Sequence, residues 1–229
     1  MPSHNLPILA FGLALALFGT PILMLTTRFA GGNSLGWPVR LSLWALGGAA
    51  LGIARSVMKN WDITLGLLAP SWRTVIGAVA AMLITCAAWP IVQHIQVRAG
   101  KKTVEQNEAF LAITALSIPY RLFLGATAAV TEEILYRGFA VGVGGEILGN
   151  RPAAVALSLI AFVGGHFRWG LGHMLSVLWA AITLTALFVI TRDLLACILA
   201  HGAIDVIGLV IAPAAMARRG RADGVAQRV

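Results

Sequence analysis

Residues 6–27 of this chain contain no charged side chain. As a helix they span about 33 Å, enough to cross the roughly 30 Å hydrocarbon core of a bilayer. Inside that core every backbone N–H and C=O must find its partner within the segment or in a closed barrel. Uninterrupted apolar runs without strand alternation meet this demand only as helices. Further runs of this kind follow at 37–57 and 74–97. The whole chain of 229 residues is 59% hydrophobic and 11% charged, with a mean hydropathy of +0.85, whereas soluble domains carry about a quarter charged residues. The fold class is therefore all-α, a polytopic integral membrane protein.

Later apolar stretches at 109–149, 153–166, 170–191 and 194–212 bring the expected number of transmembrane helices to about seven or eight. The hydrophilic loop 98–108 (RAGKKTVEQNE) marks a boundary. It divides an N-terminal membrane module with three spans (1–103) from a second membrane domain (104–212), followed by a basic tail (213–229) expected to be mobile. Trp37, Trp61, Trp72 and Trp89 fall near span ends, where aromatic belts form. Arg40 and Arg55 stand near the ends of the second span, placed to snorkel. The net charge is +8, with the cations at span ends and in the tail. No aromatic–basic interleaving or binding motif accompanies them, which argues against a nucleic-acid partner. The basic excess in the 55–73 loop and in the tail predicts that both are cytoplasmic. No basic region precedes residue 6, so the first run reads as an uncleaved span rather than a signal peptide. Cys86 and Cys197 lie in apolar runs and read as packing residues without a disulfide. The Ala- and Arg-rich make-up suggests the plasma membrane of a prokaryote, and nothing in the sequence fixes an oligomeric state.

Against this background Thr131–Phe139 (TEEILYRGF) stands out. A charge at the centre of a membrane helix costs roughly 2.5–3.5 kcal/mol, so Glu132, Glu133 and Arg137 left unpaired would cost about 8–10 kcal/mol. Glu133 and Arg137 are four apart and can pair on one helix face. Glu132 points about 100° away from them. Three more polar groups interrupt later spans: His166, His201 and Asp205. His201 and Asp205 are again four apart. His166 follows Gly164 and Gly165, which let a neighbouring helix come close.

Glutamates, histidines and an aspartate on three helices suffice for a buried hydrolytic site. An ionised glutamate takes a proton from water, and a His or Asp side chain holds a carbonyl and stabilises its oxyanion. The residue types also suit zinc, with Glu132, His166 and His201 as the ligand candidates, although no HExxH motif is present. Other readings stand beside these. Glu133–Arg137 alone suits a structural pair, and intramembrane acids also serve proton relays. His94 and His173 read as lone interfacial or satisfied histidines. Gly142, Gly144, Gly145 and Gly149 follow no strand and lack a GKS or GKT continuation, so they read as helix-packing or helix-end glycines.

The ordered motifs EExxxR (Glu132, Glu133, Arg137), FxxxH (Phe162, His166) and HxxxD (His201, Asp205) resemble those of the CPBP family. These are the CAAX prenyl protease 2-like, or Abi-type, intramembrane proteases. The likeness covers roughly residues 118–212 and includes RGF at 137–139 and the run ITRDLLACILAHGAID. It implies an all-helical fold with a sunken site that hydrolyses a peptide bond of a membrane-associated or lipidated, CAAX-like protein. By motif position Glu132 would be the general base, assisted by His166, while His201 and Asp205 would stabilise the oxyanion. Glu133 and Arg137 would fix the helix, with the substrate as a second group they could hold. The family pattern has Asn or Asp at position 205, and an ionised Asp cannot donate a hydrogen bond, so Asp205 would need a proton or would orient His201. A glutamate mechanism without a certain cofactor is favoured over a zinc one. The rival functions are a non-enzymatic scaffold or bacteriocin-immunity protein and a proton-coupled transporter, the latter without visible paired repeats.

Overall fold

The computed structural model describes residues 5–103, 108–216 and 218. The part of the tail at 217 and 219–229, like the boundary residues 104–107, lies outside the described residues. Helices α1 (Leu6–Phe29), α2 (Trp37–Val57), α3 (Trp61–Leu65), α4 (Trp72–Ala87) and α5 (Trp89–Arg98) come first. After α6 (Glu108–Thr114), one continuous helix runs through α7 (Ile118–Glu132), a π-helical stretch (Glu133–Val143) and α8 (Gly144–Leu148). Then come α9 (Arg151–Gly165), α10 (Gly170–Thr191) and α11 (Leu194–Val206), which ends in a short π turn at Ile207–Ile211. No strand occurs among the described residues. Proline occupies the first turn of α1, α2, α5, α7 and α9, where its missing N–H has no helical partner to lose.

Four helices are long and apolar enough to cross a membrane: Leu6–Phe29, Trp72–Arg98, Gly170–Thr191 and Leu194–Met216. The expected count of seven or eight is not reached by length and apolarity alone. The helix from Ile118 to Leu148 has the length but carries Arg121, Glu132, Glu133, Arg137 and Glu146, and Arg151–Gly165 is apolar but shorter.

Side-chain contacts fix which helix ends meet. At one end of the bundle Asn5 Nδ2 donates to Val57 O (3.0 Å), Arg192 Nη2 to Thr64 O (3.1 Å), and Thr74 Oγ1 to Asp193 Oδ2 (2.6 Å). There Gly66, at φ +77°, offers its carbonyl to the N–H of Leu194 at 2.8 Å. At the other end Tyr120 Oη donates to Leu35 O (2.6 Å) and Arg121 Nη1 to Leu209 O (2.7 Å). The 55–73 loop and the residues leading into the tail therefore stand at opposite ends. The expectation that both are cytoplasmic does not fit this arrangement, because α11 carries the chain away from the end where the loop lies.

The π-helical stretch is the centre of the bundle, and all of its residues are buried. Helices from both halves of the sequence wrap it. Gly12 of α1 gives way to the Phe139 ring, Gly138 lies between Leu65 and Leu194, and Gly142 touches the Thr64 carbonyl. Gly149 ends α8 in the left-handed region, at φ +57°. Arg40, expected to snorkel, is instead only 7% exposed. Its guanidinium runs toward the start of α2, where Nη2 meets the carbonyl of Ser34 in the preceding linker at 2.6 Å.

Candidate active site

Glu133 opens the π-helical stretch, and Arg137 follows four residues later. Arg137 Nη1 meets Glu133 Oε1 at 2.9 Å, its Nη2 donates to Ala181 O at 3.3 Å, and its guanidinium lies 4.6 Å over the Phe162 ring. From α11, His201 Nδ1 reaches the same Glu133 oxygen at 2.8 Å. Glu133 is fully buried and Arg137 is 1% exposed. Because a carboxylate oxygen can only accept, the proton of this contact sits on His201 Nδ1. In a neutral imidazole Nε2 is then the acceptor, and it faces Asp205 Oδ2 at 3.8 Å. That separation is too long for a hydrogen bond. One oxygen of Glu133 thus holds both Arg137 and His201, while its Oε2 is buried without a partner among the described residues.

Glu132 is placed differently. It is half-buried and makes no hydrogen bond or ion pair among the described residues. Arg40, Tyr136, His201 and Asp205 lie within its electrostatic reach. Along α7, Glu132 follows Arg121 and Gly125 by eleven and seven residues, which puts all three on one helix face. That face borders a cavity of about 280 Å³ between α7 and α11, whose walls include Arg121, Gly125, Ala126, Gly202 and Asp205. Small residues on both helices open this space, and a Cβ at Gly125 would lie 3.1 Å from the Asp205 side chain.

His166 caps α9, with Nδ1 against Phe162 O at 2.8 Å, so Nε2 is its free acceptor. No hydrogen bond joins it to Glu132, Glu133, His201 or Asp205 among the described residues. Tyr136 stands between the two groups. Its ring meets Phe162 edge-on at 5.0 Å, its hydroxyl lies about 4.0 Å from where a Gly165 Cβ would be, and it shares the field of Glu132. The sequence held a signal for Tyr136, since it follows Glu132 by four residues and hence lies on the same face. His173, expected to be alone, stacks on Trp169 (4.8 Å) and approaches His166 with ring centroids 5.9 Å apart. The intramembrane Arg40 was also a signal, because a buried arginine needs an anion or a carbonyl.

Of the six expected site residues, Glu133, Arg137 and His201 are bonded together with Asp205 alongside, while Glu132 and His166 each stand apart from that cluster, without a hydrogen bond to it among the described residues. Among the described residues no group of three His, Cys, Asp or Glu side chains could hold a metal ion. Glu132, His166 and His201 as arranged do not fit the zinc reading, since His166 lies apart and His201 Nδ1 is engaged by Glu133.

Comparison with known families finds a match over residues 114–207 to the family described as type II CAAX prenyl endopeptidase Rce1-like. No curated protein and no solved structure matches the chain. The matched stretch contains Glu132, Glu133, Arg137, His166, His201 and Asp205 and the residues of both cavity walls except Val210. Residues 114–207 are accordingly an Rce1-like domain, of the CPBP family of CAAX-type intramembrane proteases.

Proposed function

We propose that this protein is an intramembrane endopeptidase in which Glu132 activates water. The observation that carries the reading is the contrast between two adjacent glutamates: Glu133 is fully buried with Oε1 shared by Arg137 and His201, whereas Glu132 is half-buried with no bonded partner among the described residues. A general base needs a lone pair that water can reach, and of the two glutamates Glu132 is the one that is not fully buried. It takes a proton from water as the water oxygen bonds to the scissile carbonyl carbon. The carbonyl oxygen gains the charge and accepts from Nε2–H of His201 in its imidazolium form, whose Nδ1–H stays on Glu133. As the C–N bond breaks, the proton held by Glu132 passes to the departing amine. His166 acts from the Tyr136 side. Its free Nε2 is an acceptor that turns toward water or substrate once the cavity is filled.

The cavity walls are mainly apolar and lie between two membrane helices. This favours a substrate that partitions into the bilayer, a membrane-embedded or lipidated peptide. In this reading the chain crosses the membrane seven times, a count supported by the meeting of Asn5 with Val57 and of Thr74 with Asp193. The test is cleavage of lipidated and membrane-inserted peptides by purified protein in liposomes, with and without a chelator. Glu132→Gln should lower turnover at least about 100-fold, His166→Ala should lower it as well, and the chelator should leave wild-type cleavage intact. Undiminished cleavage by Glu132→Gln would refute the assignment of the base.

A further inference from the structure

Arg121 stands in the first turn of α7, and none of the sequence motifs gives it a role. Its side chain does not run out to water as that of a snorkelling arginine would. It crosses to the π turn that ends α11, where Nη1 donates to the Leu209 carbonyl at 2.7 Å. The guanidinium therefore lies across one end of the α7–α11 cavity, whose other walls include Asp205 and the apolar side chains of Leu122, Val206 and Val210. Its Nε is buried with no partner. Asp205 is the carboxylate on the same cavity, one helical turn nearer the His201 cluster. No ion pair joins Arg121 to Asp205 or to any other carboxylate among the described residues. The first turn of α7 holds no acidic residue, so the partial positive charge of the helix N-terminus adds to that of the guanidinium.

A guanidinium with an unpartnered N–H is costly in apolar surroundings, and an anion entering the cavity would complete it. With Nη1 held by Leu209, the edge formed by Nε and Nη2 is the one that matches a carboxylate in bidentate fashion. Arg121 lies at the end of the bundle where Tyr120 meets Leu35, so such a carboxylate need not cross the apolar centre. Leu209 follows His201 by eight residues of one helix, about 12 Å along its axis. An extended peptide advances about 3.3–3.6 Å per residue. A peptide whose scissile carbonyl sits at His201 therefore reaches Arg121 about three or four residues further along. We propose that Arg121 binds a carboxylate of the substrate at that separation from the cleaved bond, and so selects which bond is cut. A free C-terminus and an acidic side chain offer the same group. This inference rests on the endopeptidase reading, though not on which residue is the base.

The experiment uses one membrane-inserted peptide in proteoliposomes in three forms: the free C-terminal acid, the C-terminal amide, and the amide with aspartate as its last residue. Wild type should cut the acid at least about tenfold better than the amide in kcat/KM. Recovery with the aspartate form assigns the site to carboxylates of either source, and no recovery assigns it to the chain terminus. Arg121→Gln should erase the preference by slowing the acid form, a selective loss that a merely structural arginine would not produce. Arg121→Lys, which lacks the planar fork, should shrink the preference at least about threefold. Equal cleavage of acid and amide by wild type overturns the inference, as does an unchanged preference in the variants. Where Arg121→Gln does not fold by size exclusion, the same criterion is read in Arg121→Lys. If wild type cuts none of the forms, the endopeptidase reading fails, and affinity in nanodiscs decides the site by itself. Tighter binding of the acid that is lost in the Arg121 variants then keeps it, and equal binding of acid and amide removes it. An active Glu132→Gln refutes the base and leaves the Arg121 site standing.

Discussion

Glu132 and Glu133 are neighbours in sequence, but the structure gives them opposite circumstances, and substitutions should separate them. Glu133→Gln removes the charge that both Arg137 and His201 share. Breaking a buried pair from one side typically costs about 3–5 kcal/mol, so this variant should melt far below wild type in detergent. Glu132→Gln touches no bonded partner, and its stability should stay within about 1 kcal/mol of wild type even though turnover is lost. Equal melting points for the two would remove the distinction on which the site rests. The sequence showed the Glu133–Arg137 pair because helical spacing makes such pairs local. It did not show that His201 closes on the same oxygen, since the two are 68 positions apart and only packing brings them together. Arg40 runs toward its span end as its position suggested, but its head is covered there, held by the carbonyl of Ser34 six residues earlier.

At the scale of elements, the stretch Glu133–Val143 shows where periodicity stops being a guide. A 3.6-residue pattern fits an α-helix, but a π-helix bonds i to i+5 and changes which residues face each neighbour beyond the first turn. Its glycines are where the other elements come in. Gly142 rests on the Thr64 carbonyl, and a methyl group there must displace backbone. Overpacking of this kind costs about 1–3 kcal/mol, so Gly142→Ala should be destabilising by that amount. Gly48, in α2, has nothing within 4 Å of where a Cβ would stand. Gly48→Ala should be neutral or stabilising by up to about 1 kcal/mol. Thermal unfolding of both variants checks the pair, and a stable Gly142→Ala would mean that α3 is not seated against the π-helix.

For the whole molecule, the helical class was readable in the long uncharged runs, because lipid leaves the backbone few alternatives. The sidedness was not, since counting basic residues ignores the path between them. Lys59→Cys and Met216→Cys, each in a background lacking Cys86 and Cys197, should react with a membrane-impermeant thiol reagent from opposite faces of sealed vesicles. Labelling from the same face would contradict the helix path described above. The separation of Glu133 from His201 also bears on how the protein is made. A ribosome adding about 5–20 residues per second needs roughly 3–14 s to synthesise the 68 positions between them. During that interval the charged helix has left the ribosome and the histidine does not yet exist. The pairing of Glu133 with Arg137 inside one helix supplies a counter-ion as soon as the helix forms, so the segment can enter the membrane as a nearly neutral unit and exchange part of that pairing for His201 when the last helix arrives.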